Sequence, residues 1–200
     1  MNDKQLNIHT SGIYEWAVTD PMYIHYERTE ATGYREIEAL FEDYHLQEDA
    51  HFVDVGAGKG RMIFYVNKRF NIPTTGIELN KKVFEMLDAN KKAYQIQFPQ
   101  GAPIYLENVP AQDWKVLPEH TVFYFFNPFS LMIFDQVMQN IRHSLSQNPR
   151  QIDIILYYPM WDFKRYMKEQ EDFDLIHYIP LPWFDEHIDH FAVYRYSPLT

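Results

Sequence analysis

Phe52-Val53-Asp54-Val55-Gly56-Ala57-Gly58-Lys59-Gly60 is the stretch on which the fold turns. His51 to Val55 reads as a short buried strand closed by glycines. From Arg61 an apolar stripe begins, Met62, Ile63, Val66 and Phe70, with the spacing of one helix face. Strand, glycine turn and helix in that order open a βαβ unit. Glycines at such a turn let the backbone bend sharply and let a ligand approach with no Cβ in the way. The helix N-terminus adds free N–H groups and a partial positive charge, which suits an anion or a carboxylate.

The alternation continues outward from this turn. Upstream, Tyr34, Ile37, Leu40, Phe41 and Tyr44 form a helical stripe. Downstream, Thr74 to Leu79 reads as a second strand, and Lys81 to Tyr94 as a helix with Val83, Leu87, Asn90 and Tyr94 in register. Ile104 to Leu106 is a third strand. Thr121 to Phe126 is a fourth, apolar throughout and so buried on both faces. Leu131, Phe134, Met138, Ile141 and Leu145 predict a long amphipathic helix. Ile152 to Tyr158 is a fifth strand stopped by Pro159, and Lys164 to Glu169 is helical. Phe173 to Ile179 and Phe191 to Tyr196 are two last strands suited to antiparallel pairing. The pattern predicts an α/β fold, doubly wound, with a mostly parallel sheet and helices on both faces. Residues 1–31, aromatic and acidic with no clear period, read as an N-terminal extension or lid on a domain of residues 32–200.

Composition narrows the function classes. Two hundred residues make one domain. Eighteen basic against 28 acidic residues give a net charge of −10, which argues against a protein that coats nucleic acid. The absence of cysteine excludes disulfides, Cys-ligated zinc and thiolate catalysis. MNDKQLNIHT carries no apolar signal core, and the apolar run from Thr121 to Phe134 is broken by Asn127, Pro128 and Ser130. A cytoplasmic protein with no membrane association is expected.

The turn discriminates between ligand classes. A phosphate-binding Gly-x-x-x-x-Gly-Lys-Ser/Thr loop fails, because Val53 and Gly60 stand where its first glycine and its hydroxyl belong. A dinucleotide turn would need its third glycine at Arg61. An acid ahead of Gly-x-Gly-x-Gly fits directly, as Asp54, Gly56, Gly58 and Gly60. Glu78 then ends the second strand, roughly 20 residues on, where nucleoside-binding folds place an acid for the ribose.

On these two motifs the chain, from about Thr32 to Tyr158, resembles the class I, Rossmann-like S-adenosylmethionine-dependent methyltransferases. The resemblance implies a seven-stranded sheet with an antiparallel last strand and S-adenosyl-L-methionine as cofactor. Gly56, Ala57, Gly58 and Gly60 would form the turn, with the first three against the methionine part. Asp54 would lie near its amino group, and Glu78, followed by Leu79, at the ribose. Ala111 and Gln112, after Pro110 in place of the usual acid, would lie near the adenine. Thr32 and Tyr34, flanking Gly33 where some members have proline, would close over the carboxylate. Asn127-Pro128-Phe129 resembles the Asn/Asp-Pro-Pro-aromatic segment of amino-methylating members. Asn127 and Pro128 would accept N–H bonds there and Phe129 would stack, although Ser130 follows where a second proline is usual. These three are the catalytic candidates, and Asn127 also borders the cofactor. The alternative for the segment is a polar turn with Ser130 capping the next helix.

The function expected is methyl transfer to an amine on a small molecule or protein. A nicotinamide-dependent oxidoreductase on the same turn, or a non-catalytic nucleotide-binding module, are the rivals. Acids at Asp162, Glu169, Glu171, Asp172, Asp174, Asp185, Glu186 and Asp189, with Asp20, Glu27 and Glu30, suggest an acidic rim. Such a rim favours a cationic or neutral acceptor over nucleic acid. Phe129, Trp161 and Trp183 are candidates for cation–π contacts with it. Asp185, His187, Asp189 and His190 have metal-type side chains but read as a solvated loop, so no metal is expected. The basic residues from Lys59 to Lys92 read as a solvated outer face, and Tyr14, Trp16, Tyr23 and Tyr26 as a packing flap.

Overall fold

The computed structural model describes residues 1–15, 25–183 and 190–198. Its elements are α1 (Asp3–Leu6), α2 (Tyr34–Asp43), β1 (Phe52–Val55), α3 (Arg61–Phe70), β2 (Thr74–Ile77), α4 (Lys81–Gln97) and β3 (Ile104–Glu107). They continue as β4 (Val122–Phe125), α5 (Leu131–Gln147), β5 (Ile152–Tyr157), α6 (Trp161–Lys168), β6 (Asp174–Pro180) and β7 (His190–Tyr196). The strands make one seven-stranded sheet in the order β3-β2-β1-β4-β5-β7-β6. The first five are parallel, and β7 runs antiparallel to both of its neighbours.

The chain runs outward from β1 through β2 to β3, then returns across the sheet to β4 on the other side of β1. The strand order therefore reverses between β1 and β4, and the crevice outside their carboxyl ends is where such sheets bind ligands. All four residues of β1, β2 and β4, and all six of β5, are buried, as strands covered on both faces must be. Residues alternate across the sheet. Phe52 and Tyr124 pack with Leu40, Ile63, Val66 and Leu87 of α2, α3 and α4. Val53, Val55, Phe123 and Phe125 pack on the opposite face with Phe134, Val137 and Ile141 of α5 and Phe163 of α6.

The N-terminal residues have a structure that their lack of periodicity conceals. Leu6 and Ile8 are buried in the core shared with α2 and α3. Asp3 accepts hydrogen bonds from Thr10 and Tyr34, and Asn90 of α4 pairs with the backbone of His9 in both directions. The basic side chains near the turn are likewise not all solvated. Lys59 Nζ donates to the carbonyls of Ser11 and Gly12. Arg61 donates to Thr10 Oγ1 and to the carbonyl of Thr32, and lies over the Tyr34 ring.

At the opposite end of the sheet His51 and His120 meet edge to face, 4.7 Å between ring centres. His51 bonds Thr75 and His120 accepts the N–H of Leu117. Burial holds both below the usual histidine range, His120 at about 3. No helix among the described residues is long and apolar enough to cross a membrane.

Candidate active site

The glycine turn is built as its spacing requires. Gly56, Gly58 and Gly60 have φ of +94°, +54° and +92°, a region costly for residues with a Cβ. The N–H groups of Gly56 and Ala57 donate to the carbonyl of Ile77, which ties the turn to the end of β2. Register does the rest: Val55 pairs with Ile77, so Glu78 leaves β2 directly beside the turn. Its Oε2 accepts the N–H of Gly58 at 3.0 Å and its Oε1 that of Asn80 at 2.7 Å. Gly60 serves packing instead, since a Cβ there would lie 2.4 Å from Leu87 Cδ1 of α4.

Two carboxyls are buried here. Burial pushes Glu78 up to about 7, against the pull of backbone N–H bonds from Asn80, Gly58 and Leu79. Asp54, fully enclosed, is pushed up to about 8 by burial and then by the charge of Glu78. No hydrogen bond to the Asp54 carboxyl is made by any described residue. A buried acid with no donor is costly unless it stays protonated or meets a cation.

Residues 25–30 lie across this end of the sheet as a strap. Tyr26 bridges Phe129 and Thr29 bridges Tyr14, both antiparallel. The N–H of Glu27 donates to the carbonyl of Pro128, and that of Ser130 to the carbonyl of His25. Tyr26 also donates from its hydroxyl to Gln112 Oε1. The methyl Cγ2 of Thr29 sits 2.7 Å from where a Gly58 Cβ would be, and Pro128 Cβ 2.4 Å from that of Gly56. What remains between strap and turn is a cavity of about 50 Å³, walled by Tyr26, Thr29, Gly56, Glu78, Leu79, Ala111, Pro128 and Phe129 among others. Beyond it opens a second cavity of about 620 Å³, lined by Glu27, Arg28, Glu30, Phe126, Asn127, Tyr157, Tyr158 and Met160.

Most of the sequence candidates therefore converge. Gly56, Glu78, Leu79, Ala111, Pro128 and Phe129 line the narrow cavity, Ala57 and Gly58 belong to the turn beside it, Asp54 lies near the end of β1, and Asn127 lines the larger one. Thr32 and Tyr34 line neither; the Thr32 hydroxyl bonds that of Tyr124, and the Tyr34 hydroxyl bonds Asp3. Gln112 reaches the site only through Tyr26. Phe129 is buried, its ring T-shaped against both Tyr26 and Phe125. Ser130 does open α5, although its side chain makes no capping bond. Trp183 is held by Arg35 and Glu36, and Trp161 lies under Arg165. Trp16, Asp20, Tyr23 and Asp185 to Asp189 lie outside the described residues.

Sequence reading missed the strap residues Arg28 and Thr29, and Phe126, Tyr157, Tyr158 and Met160. The aromatic pairs at the carboxyl ends of β4 and β5 were the available signal. The backbone of Tyr158 carried none. Among the described non-glycine residues only Asn7, Asn71, Asn127 and Tyr158 have positive φ. Asn7 and Asn71 close helices, as asparagine readily does. A tyrosine at φ +51° costs of order 1–3 kcal/mol and marks a site where the surroundings enforce it.

No family model and no curated protein sequence matches the chain. Solved structures do. An RNA methyltransferase from Salinibacter ruber, in complex with S-adenosyl-L-homocysteine, aligns over 84% of this chain and 93% of its own, with TM-score 0.55 and 15% identity. The Escherichia coli protein yhhF, provisionally described as a methyltransferase, aligns over 86% and 93%, with TM-score 0.58 and 16% identity. Streptococcus pneumoniae Sp1610, provisionally described as a tRNA (m1A22) methyltransferase, aligns over 85% and 72%, with TM-score 0.58 and 11% identity. The chain has the class I methyltransferase fold. The seven-stranded sheet with an antiparallel β7 is what the sequence resemblance implied. One expectation is corrected. Net charge and the acidic rim pointed to an amine on a small molecule or protein and away from nucleic acid. The similar structures include an RNA methyltransferase, so the exclusion of nucleic acid drawn from composition does not stand. Net charge is a sum over the whole surface and says little about one cleft.

Proposed function

We propose that this chain is an S-adenosylmethionine-dependent methyltransferase whose acceptor is a base of a nucleic acid. The observation that carries the cofactor half is Asp54, an acid buried at the switch point with no hydrogen bond from any described residue. A ligand with an ammonium group supplies the missing partner. Glu78 keeps lone-pair capacity beyond the backbone bonds from Gly58, Asn80 and Leu79, so it can accept from ribose hydroxyls. A Cβ on Gly56 or Gly58 would run into Pro128 or Thr29, so the turn lies this close to the loop after β4 and to the strap only as glycine. The chemistry of the site fits the cofactor. The space is taken by the chain itself, because about 50 Å³ is far below the roughly 300 Å³ at which ligand pockets begin. Entry therefore goes with displacement of residues 25–30.

When bound, the cofactor supplies a methyl group activated on a sulfonium. The residues of this chain do the rest by placement. Phe126, Tyr157 and Tyr158 give the large cavity aromatic walls, which suit the planar face of an unstacked base. Asn127, in the wall of the same cavity, orients it.

Calorimetry and labelled transfer test the reading. S-adenosylhomocysteine is expected to bind at micromolar level, about −8 kcal/mol. Label from methyl-tritiated S-adenosylmethionine is expected to enter tRNA or ribosomal RNA from a lysate. Binding of a nicotinamide dinucleotide instead would favour an oxidoreductase, and cofactor binding with no transfer to any fraction a non-catalytic module.

A further inference from the structure

Tyr158 lies immediately beyond β5, as Asn127 lies two residues beyond β4, and both line the 620 Å³ cavity. Both have left-handed backbones, φ +51° and +39°. They are joined directly: Asn127 Nδ2 donates to the carbonyl of Tyr158. The left-handed turn is what swings that carbonyl out of the strand direction, and nothing in the local sequence favours it. Tyrosine has a Cβ that crowds there, and Pro159 disfavours helical backbone in the residue before it. The conformation is held from outside, by the Tyr158 N–H donating to the carbonyl of His190 and by Asn127. Glycine is the residue such a position would take for stability alone. A half-buried aromatic stands there instead, with its ring 6.5 Å from that of Tyr157.

The bond to Asn127 has a chemical consequence. An amide offers two donors on nitrogen and an acceptor on oxygen. With Nδ2 committed to Tyr158, the flip of the amide is fixed. No described residue donates to Oδ1, so Asn127 keeps that acceptor, beside its second N–H, to offer a ligand.

We propose that Tyr158 is the positioning residue of the acceptor cavity. Its carbonyl sets the Asn127 amide so that Oδ1 receives a hydrogen-bond donor from the incoming base, and its ring forms a wall against the base plane. The role of the ring rests on the function proposed above; the role of the carbonyl is a property of the free protein.

Three variants separate the two roles. Tyr158→Gly keeps the left-handed backbone and loses the ring, Tyr158→Val opposes the backbone, and Tyr158→Phe keeps both. In the ¹⁵N-labelled free protein, the Asn127 side-chain amide, assigned by its loss in Asn127→Asp, is expected to exchange with water about fivefold more slowly than an unbonded amide. That protection is expected in wild type, Tyr158→Gly and Tyr158→Phe, and lost in Tyr158→Val. With total tRNA as the methyl acceptor, Tyr158→Gly is expected to raise KM roughly tenfold with kcat within a few-fold, while its melting temperature rises. Tyr158→Phe restores wild-type KM. Protection of Asn127 that survives in Tyr158→Val, or an unchanged KM in Tyr158→Gly, overturns the proposal. If wild type places no label in RNA, the acceptor reading fails, and the exchange measurement alone still decides the positioning role.

Discussion

The acid at the centre of the sheet gives the sharpest quantitative test. Asp54 sits between β2 and β4 and is pushed from 3.8 to about 8, first by burial and then by Glu78. The folded chain therefore keeps this proton up to about pH 8, while the unfolded chain gives it up near pH 4. Between those values the unfolded state binds fewer protons, so stability falls as pH rises through the window. Lifting the carboxyl this far costs at most about 6 kcal/mol. Relaxation around the site lowers the realised penalty to about 2–3 kcal/mol at pH 8. Asp54→Asn keeps the shape and cannot ionise. Near pH 4 variant and wild type are expected to melt together. By pH 8 to 9 the variant is expected to melt higher by about 5–10 °C, at roughly 2–4 °C per kcal/mol for a chain of this size. The assay is calorimetric melting at each pH unit from 4 to 9. Parallel curves for the two proteins would refute the reasoning, because they would mean that Asp54 ionises as freely folded as unfolded. The same substitution is expected to weaken S-adenosylhomocysteine binding, so stability and affinity move in opposite directions.

Glu78→Gln is expected to weaken S-adenosylhomocysteine by about 1–3 kcal/mol in calorimetry, through loss of charged acceptors. Because the strap occupies the cleft, saturating S-adenosylhomocysteine is expected to speed hydrogen exchange at the Glu27 and Thr29 amides, which bond Pro128 and Tyr14 in the free protein; unchanged exchange with bound ligand would show that strap and ligand coexist. His120, held at about 3 by burial, His51 and Arg150, loses stability as pH falls from 6.5. His120→Asn, with an oxygen to accept the Leu117 N–H, is expected to flatten the urea midpoint between pH 6.5 and 4. Glu27 and Glu30 beside the cavity repel phosphates, so Glu27→Lys is expected to lower KM for tRNA and to reverse its salt dependence; no change would place the RNA backbone beyond a Debye length, roughly 8–10 Å.

How much was readable in the sequence follows from the range of each interaction. The turn was legible because positive φ at three positions demands glycine, and residue identity reports backbone geometry directly. Glu78 was legible because parallel register carries the end of β2 to the end of β1. The strap was not, because it is fixed by pairings such as Tyr26 with Phe129, across about a hundred residues, and has no periodicity of its own. Leu6 and Ile8 escaped for the same reason: two apolar residues make no pattern, yet both complete the core under α2. Tyr158 was hidden in the opposite sense. Its identity argues for an ordinary strand residue, and only hydrogen bonds to His190 and Asn127 hold it elsewhere.

The three glycines share a motif but not a task, and this divides what the turn does for fold and for ligand. Gly60 is needed by the protein alone, since Leu87 and Phe64 fill the space a side chain would take. Gly58 faces Thr29 of the strap, the segment that must give way to a ligand. Gly56 faces Pro128, which belongs to the loop after β4. A substitution at Gly60 therefore acts on folding, and one at Gly58 first on the strap. The same loop carries Asn127, whose amide is set by Tyr158 beyond β5. Contacts thus run without a break from the turn after β1, through the end of β4, to the end of β5. In the proposed reaction the alignment of a methyl donor with its acceptor rests on three strand ends locked to one another, with residues 25–30 laid across them.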